Sequence, residues 1–225
     1  ADYNKGIEVD PEEASLYYEM GYLYISLETY DIGLANLLKV VDLDPTYENA
    51  YNLIGYTYKN AFNEYEKAIE YYTKELEVTP DASHTYRNIA NIYAYNLVDY
   101  DKALENYTKA IEVDPDDSYS YQLRGDFYRD YLEDYDKALV DYNKAISLDP
   151  EDPFGYYGRA EVYVNMGLYD KAIEEFIKYE FTVFEDDRAY VNYAIGYIYF
   201  NNLNEFDKSI DFLSKAIELN YSGSE

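Results

Sequence analysis

Carboxylates are the most plentiful reactive groups in this chain of 225 residues, with 46 acids against 18 bases and a net charge of -28. To hydrolyse a bond or hold a metal they would have to converge with a nucleophile, a base or further ligands. The composition supplies few of these. His84 is the only histidine and cysteine is absent, which removes His-pair and thiolate metal sites, disulfides and a thiol nucleophile. The run Asp114–Asp117 (DPDD) lacks the ligand spacing of a calcium-binding loop, and no phosphate-cradling GxxxxGK[ST] segment occurs. Asp126, Arg129 and Glu161 remain as a triplet that could gather, and an ion network is its ordinary meaning. The expectation is a non-enzyme with no cofactor and no metal site. The acid surplus also disfavours nucleic acid, whose phosphates need a basic footprint. Apolar runs are too short for membrane insertion and no signal peptide is visible. With 48% hydrophobic residues a packed core is nonetheless available.

The prolines show which elements position these residues. Pro11, Pro45, Pro80, Pro115 and Pro150 follow one another at spacings of 34, 35, 35 and 35. The segments that precede them are near copies: Tyr3–Pro11 reads YNKGIEVDP, Tyr107–Pro115 YTKAIEVDP and Tyr142–Pro150 YNKAISLDP. A fixed period of this size marks a solenoid, in which each unit stacks on the next to bury a continuous core. Within a unit, Tyr86, Ile89, Ala90 and Tyr93 fall on one helical stripe, and Ala103, Tyr107 and Ala110 fall on a second. A polar turn such as Asn96–Asp101 separates the two, and proline ends the second because it cannot continue a helix. Each repeat is therefore a helix A followed by an antiparallel helix B.

At this point the pattern resembles the tetratricopeptide repeat. Its eighth position is small throughout (Gly21, Gly55, Ala90, Gly125, Ala160, Gly196), and so is its twentieth (Gly33, Ala68, Ala103, Ala138, Ala172, Ser209). Its eleventh is always tyrosine (Tyr24, Tyr58, Tyr93, Tyr128, Tyr163, Tyr199). The resemblance implies an all-α fold, an α-solenoid of antiparallel helix pairs forming a right-handed superhelix. A single solenoid domain is expected over 1–225, with a half-repeat at 1–13 and repeats at 14–47, 48–82, 83–117, 118–152, 153–188 and 189–222. The chain lacks an initiator methionine and stops at Gly223-Ser-Glu without a closing polar helix, which reads as an excised fragment of a longer protein. Four repeats hold one added residue between their helices, where Phe62, Leu97, Leu132 and Leu203 would form an apolar plug. In the fifth repeat Tyr179 replaces a small residue and Phe184 replaces the proline, consistent with local repacking or with a hinge or contact ridge.

The resemblance also implies that helix A lines a concave groove through its positions 2, 5, 9, 12 and 13. Those positions carry the bases Lys59, Arg87 and Arg129 and the acids Asp126, Asp130 and Glu161, a formal sum of zero. Nine tyrosines stand there: Tyr18, Tyr22, Tyr56, Tyr95, Tyr119, Tyr157, Tyr190, Tyr193 and Tyr197. Tyrosine offers a wide apolar face with a polar tip, useful in contact surfaces, although packing against the neighbouring helix A is the alternative use. Asn52, Asn91 and Gln122 could pair with the backbone of an extended peptide. Arg87 with Asn91 could pin one acidic or carbonyl group. The carboxylate clamp of chaperone-adaptor relatives is not completed, because Leu123, Phe154 and Gly158 occupy its other places. Lysines recur at fixed positions on helix B, four of them one turn after an acid (Glu70–Lys74, Glu105–Lys109, Glu174–Lys178, Asp211–Lys215), as on a solvated outer face.

These features predict a protein-protein interaction scaffold that takes a peptide or partner segment in a neutral, Tyr/Asn-rich groove. Structural self-assembly through uncapped solenoid ends, giving an end-to-end homo-oligomer, is the second class. The absence of cysteine fits the cytoplasm and also an exported protein without disulfides.

Overall fold

The computed structural model describes residues 10–180 and 185–219. The beginning of the expected half-repeat and the segment Phe181–Phe184 lie outside the described residues. Every regular element among those described is helical, and the helices come in pairs. In the first three repeats these are α1 (Ala14–Ser26) with α2 (Tyr30–Leu43), α3 (Ala50–Thr57) with α4 (Tyr65–Val78), and α5 (Ser83–Asn91) with α6 (Tyr100–Val113). In the last three they are α7 (Ser118–Asp130) with α8 (Tyr135–Leu148), α9 (Pro153–Asn165) with α10 (Tyr169–Glu180), and α11 (Glu185–Ile198) with α12 (Phe206–Glu218). They form two compact units, one ending at Pro115 and the other beginning at Asp116.

Local signals set the ends. Helices α2, α4, α6 and α8 stop at Leu43, Val78, Val113 and Leu148, each two residues before the proline of its repeat. Asp99, Asp117, Asp134 and Asp152 then cap α6, α7, α8 and α9, their carboxylates accepting backbone N–H groups of the first turn. Helix α3 lacks such a cap because its preceding residue, Asn49, sits in the left-handed region. The carboxylate of Glu75 substitutes for it: buried on α4, it accepts the backbone N–H of Asn52 at 3.1 Å and pairs with that of Asn49. A glutamate on helix B is thus a helix cap supplied from a partner helix.

The small residues bring A and B together. A Cβ on Gly55 would lie 2.9 Å from the ring of Tyr72, so the glycine lets α4 press its tyrosine against the α3 backbone. Leu37, Tyr72, Tyr107, Tyr142 and Phe176 occupy the corresponding place in the first five repeats, none more than 1% exposed. Tyr179, in the fifth repeat, is buried in the same core as Phe176 and lies 5.4 Å from the ring of Tyr157.

The added residue of the 35-residue repeats has a definite destination. Helix A widens into a π-turn at Tyr58–Phe62, Ile92–Leu97 and Tyr199–Leu203. Each ends on a left-handed residue, Asn63 (φ 54°), Val98 (φ 54°) or Asn204 (φ 56°), while Glu133 (φ 50°) takes that conformation in the fourth repeat, whose helix A has no π-turn. Phe62, Leu97 and Leu203 are half-buried there; Leu132 is exposed.

Asparagine tolerates this conformation and a β-branched residue does not, since its Cβ crowds the following carbonyl. Val98 is 61% exposed and gains little from burial. Val98→Asn should therefore stabilise the chain by about 1 kcal/mol, seen as a rise of about 2–4 °C in the melting midpoint.

Candidate functional site

The residues singled out on the A helices divide by what they touch. Position five mostly reaches the following helix A or the turn that leads into it. The ring of Tyr18 lies 5.0 Å from that of Tyr47. Asn52 donates from Nδ2 to Thr85 Oγ1 at 3.0 Å. Gln122 is buried and donates to the carboxylate of Asp152, the cap of α9. Tyr157 shares a 3.2 Å hydrogen bond with Tyr190. The side-chain donors expected of Asn52 and Gln122 are thus engaged within the fold. Arg87 is half-buried beside His84, whose imidazole is pushed below its ordinary pKa by burial and by the Arg87 charge.

Position nine faces the large residue of helix B. Asn91 Oδ1 accepts from the Tyr107 hydroxyl at 2.6 Å, so its acceptor is engaged too. In the next repeat Asp126 Oδ1 accepts from Tyr142 at 2.6 Å, and the same hydroxyl accepts from Arg129 Nη1 at 2.8 Å. Arg129 also bonds Asp130 through Nε at 2.6 Å and Nη2 at 2.8 Å. Burial raises the Asp126 carboxyl above the ordinary range against the opposing pull of Arg129 and the Tyr142 hydrogen bond. Burial likewise raises Glu161, opposed by the Arg129 charge. Asp126, Arg129 and Asp130 gather as an ion network around the buried Tyr142, and Glu161 feels the Arg129 charge without joining its hydrogen bonds or ion pairs.

What remains turned outward is aromatic. Seven of the nine tyrosines at these positions are exposed, from 37% at Tyr190 and Tyr193 to 56% at Tyr22, so the core does not account for them. Tyr22, Asn52 and Tyr56 line a groove of about 380 Å³ between α1 and α3, in the first unit. Tyr190, Tyr193 and Tyr197 line a second of about 360 Å³ between α9 and α11, floored by Phe176 and Glu161, in the second unit. Tyr95 is 48% exposed after α5. Lys59 is half-buried with no ion pair or hydrogen bond among the described residues, and burial lowers its pKa.

The structure adds contacts that sequence reasoning missed. Arg124 makes a fork of two 2.8 Å bonds to the buried Asp141. Arg159 reaches Glu175 and Asn143, at 2.5 Å and 2.6 Å. Both arginines hold the seventh place of their repeat, and the acid stands one residue before Tyr142 or Phe176; that matched pair was the available signal. The lysines are more specific than a solvated face. Lys67, Lys102, Lys137 and Lys208 each pair with an acid three residues back and lie 5.0–5.2 Å over Tyr58, Tyr93, Tyr128 and Tyr199. Of the four expected one-turn pairs, Lys74–Glu70 and Lys109–Glu105 are present. Lys178 turns to Glu175 instead, and Lys215 lies 4.7 Å over the Phe212 ring. Among the described residues no helix is long and apolar enough to cross a membrane, and no group of three potential ligands could hold a metal ion.

The raised carboxyls set a direction for pH dependence. A raised folded pKa means that the folded chain binds more protons than the unfolded one just above 4.5, so these groups favour folding less as pH rises. Glu161→Gln should therefore raise the melting midpoint at pH 7 and reduce the gain that the parent chain shows on acidification to about pH 5. Circular dichroism melts at both pH values check this; a lower midpoint for the variant at pH 7 would mean that attraction to Arg129 outweighs burial.

Comparison with known proteins agrees with this architecture. Family models described as tetratricopeptide repeat match residues 14–47, 83–117 and 189–222, then 50–84 and 106–140, and a TPR repeat model matches 131–167. A search of curated protein sequences gave no match. Among solved structures, the C-terminal part of a TPR repeat-containing protein from Cytophaga hutchinsonii aligns with 99% of this chain and 89% of its own, at TM-score 0.78 and 19% identity. The type IV pilus biogenesis factor PilW aligns over 94% and 95% of the two chains at TM-score 0.73 and 17% identity. YrrB, described as a TPR protein with an unusual peptide-binding site, aligns over 80% and 91% at TM-score 0.59 and 22% identity. With its helix pairs, its small contact positions and these matches along its length, the chain belongs to the tetratricopeptide repeat family.

Proposed function

We propose that this chain is a non-enzymatic interaction scaffold whose A helices bind a peptide or partner segment through their exposed tyrosines. The observation that carries this reading is the outward exposure of seven tyrosines at groove positions, joined by Phe154 at 61% and Phe200 at 51%. Large aromatic faces left in water at recurring positions cost solvation that a ligand would recover. The two grooves, α1 with α3 and α9 with α11, are where a partner side chain would enter. YrrB, of the same fold, is a protein described by its peptide-binding site, which supports the class of ligand. The non-enzyme reading rests on the lone histidine, the absent cysteine and an acid–arginine network already engaged by Tyr142. A net charge of -28 favours a basic partner, with attraction that weakens as salt is added.

A peptide array probed with the purified chain would supply a ligand. Tyr56→Ala, Arg87→Ala and Tyr193→Ala should each weaken it by roughly 3- to 30-fold, the range expected for contact residues. Unchanged affinity in all three would move the site elsewhere.

A second reading is end-to-end assembly. On α12, Ile210 and Ile217 stand seven residues apart on one face and are 62% and 74% exposed. An apolar face of this kind is what a stacking neighbour would cover. Sedimentation should then show dimers or longer species that Ile210→Lys with Ile217→Lys disperses; a strict monomer at high concentration overturns it.

A further inference from the structure

In repeats three and four the polar residue at position nine is satisfied by a tyrosine hydroxyl from helix B: Tyr107 bonds Asn91 and Tyr142 bonds Asp126. In repeat five the helix-B residue is Phe176, which has no hydroxyl, and position nine is Glu161. Glu161 has no hydrogen bond or ion pair among the described residues, although its carboxylate is half-buried. It opens instead into the groove of about 360 Å³ whose other walls include Phe176, Tyr190, Tyr193 and Tyr197. A desolvated carboxylate without a donor is costly, and aromatic faces around it attract cations.

We propose that this groove, in the scaffold reading given above, takes one cationic side chain of the partner, a lysine or arginine, with its charged head on Glu161 and its methylene stem against Tyr193 and Tyr197. The side chain supplies the donor that the missing hydroxyl withholds, and burying the pair among rings strengthens their attraction. The acidic surplus of the chain draws the same class of ligand from a distance. The α1–α3 groove, by contrast, is lined by tyrosines, asparagines, Ser26, Thr57 and apolar residues without an acid.

The test uses small probes, so it does not depend on having found a peptide. Butylammonium and ethylguanidinium mimic the two side chains, and 1-pentanol is the neutral counterpart. Titration at low salt is followed by the ring resonances of Tyr193 and Tyr197. Both cations should shift them saturably and more tightly than pentanol. Glu161→Gln should weaken the cations at least fivefold while leaving pentanol unchanged. Phe176→Tyr, which places a hydroxyl where Tyr142 has one, should do the same by occupying Glu161 internally. Melting curves confirm that each variant is folded. Pentanol binding as well as the cations, or cation affinity unmoved in Glu161→Gln, overturns the proposal yet leaves the peptide-array result untouched. Absence of binding by any probe also overturns it, and the array still decides the scaffold reading separately.

Discussion

The close approach of helix A to helix B is the constraint from which the rest follows. Glycine, alanine or serine at two places per repeat lets a large helix-B side chain lie against the helix-A backbone, as Tyr72 does at Gly55. When that side chain is tyrosine, close packing also carries a hydroxyl into the interior. A buried hydroxyl without a partner would cost about 1–3 kcal/mol, and helix A provides an acceptor for those of Tyr107 and Tyr142. Asn91 and Asp126 are those acceptors. Polarity on helix A is therefore partly a consequence of core packing one layer below, and the identity of position nine is coupled to that of helix B.

The same coupling explains where much of the lysine goes. The tyrosine at position eleven is half-buried in most repeats, leaving one ring face available to solvent. A lysine from helix B covers that face and at the same time pairs with the acid at the start of its own helix. Acid, lysine and ring act as one clasp across the hairpin, repeated from unit to unit. Each clasp is exposed and individually weak, but repetition gives the A–B hairpins of repeats two, three, four and six the same closure. In a chain so rich in acids, fixing the lysines locally also keeps part of the negative charge compensated where helices begin.

Periodicity made the helix pairs, their ends and the small contact positions legible, because each depends on a residue type recurring at one place. The side-chain partners were less legible because they depend on two places at once. Arg124–Asp141 and Arg159–Glu175 occur only in repeats four and five, so no column of identical residues announces them. The role of Glu75 is visible only beside Asn49, whose left-handed backbone leaves α3 without its own cap. Asn52–Thr85 likewise joins successive repeats and Gln122 reaches the cap of the following helix A, and reading each helix alone assigns both residues to an outside ligand.

The formal neutrality of the A-helix surface acquires a different meaning once these partners are known. Its zero sum includes Arg129, which is enclosed by Asp126 and Asp130, and a charge so enclosed presents little to a ligand. Removing that network leaves two groups without partners among the described residues: Lys59 in the first unit and Glu161 in the second. Burial disfavours the charged form of each, lowering the lysine and raising the glutamate. A ligand group of opposite sign would reverse that penalty at either place. Exposed aromatic rings lie in both units, and each unit adds one such charge, Lys59 in the first and Glu161 in the second. A sum over residues conceals this difference because opposite charges cancel on paper wherever they stand.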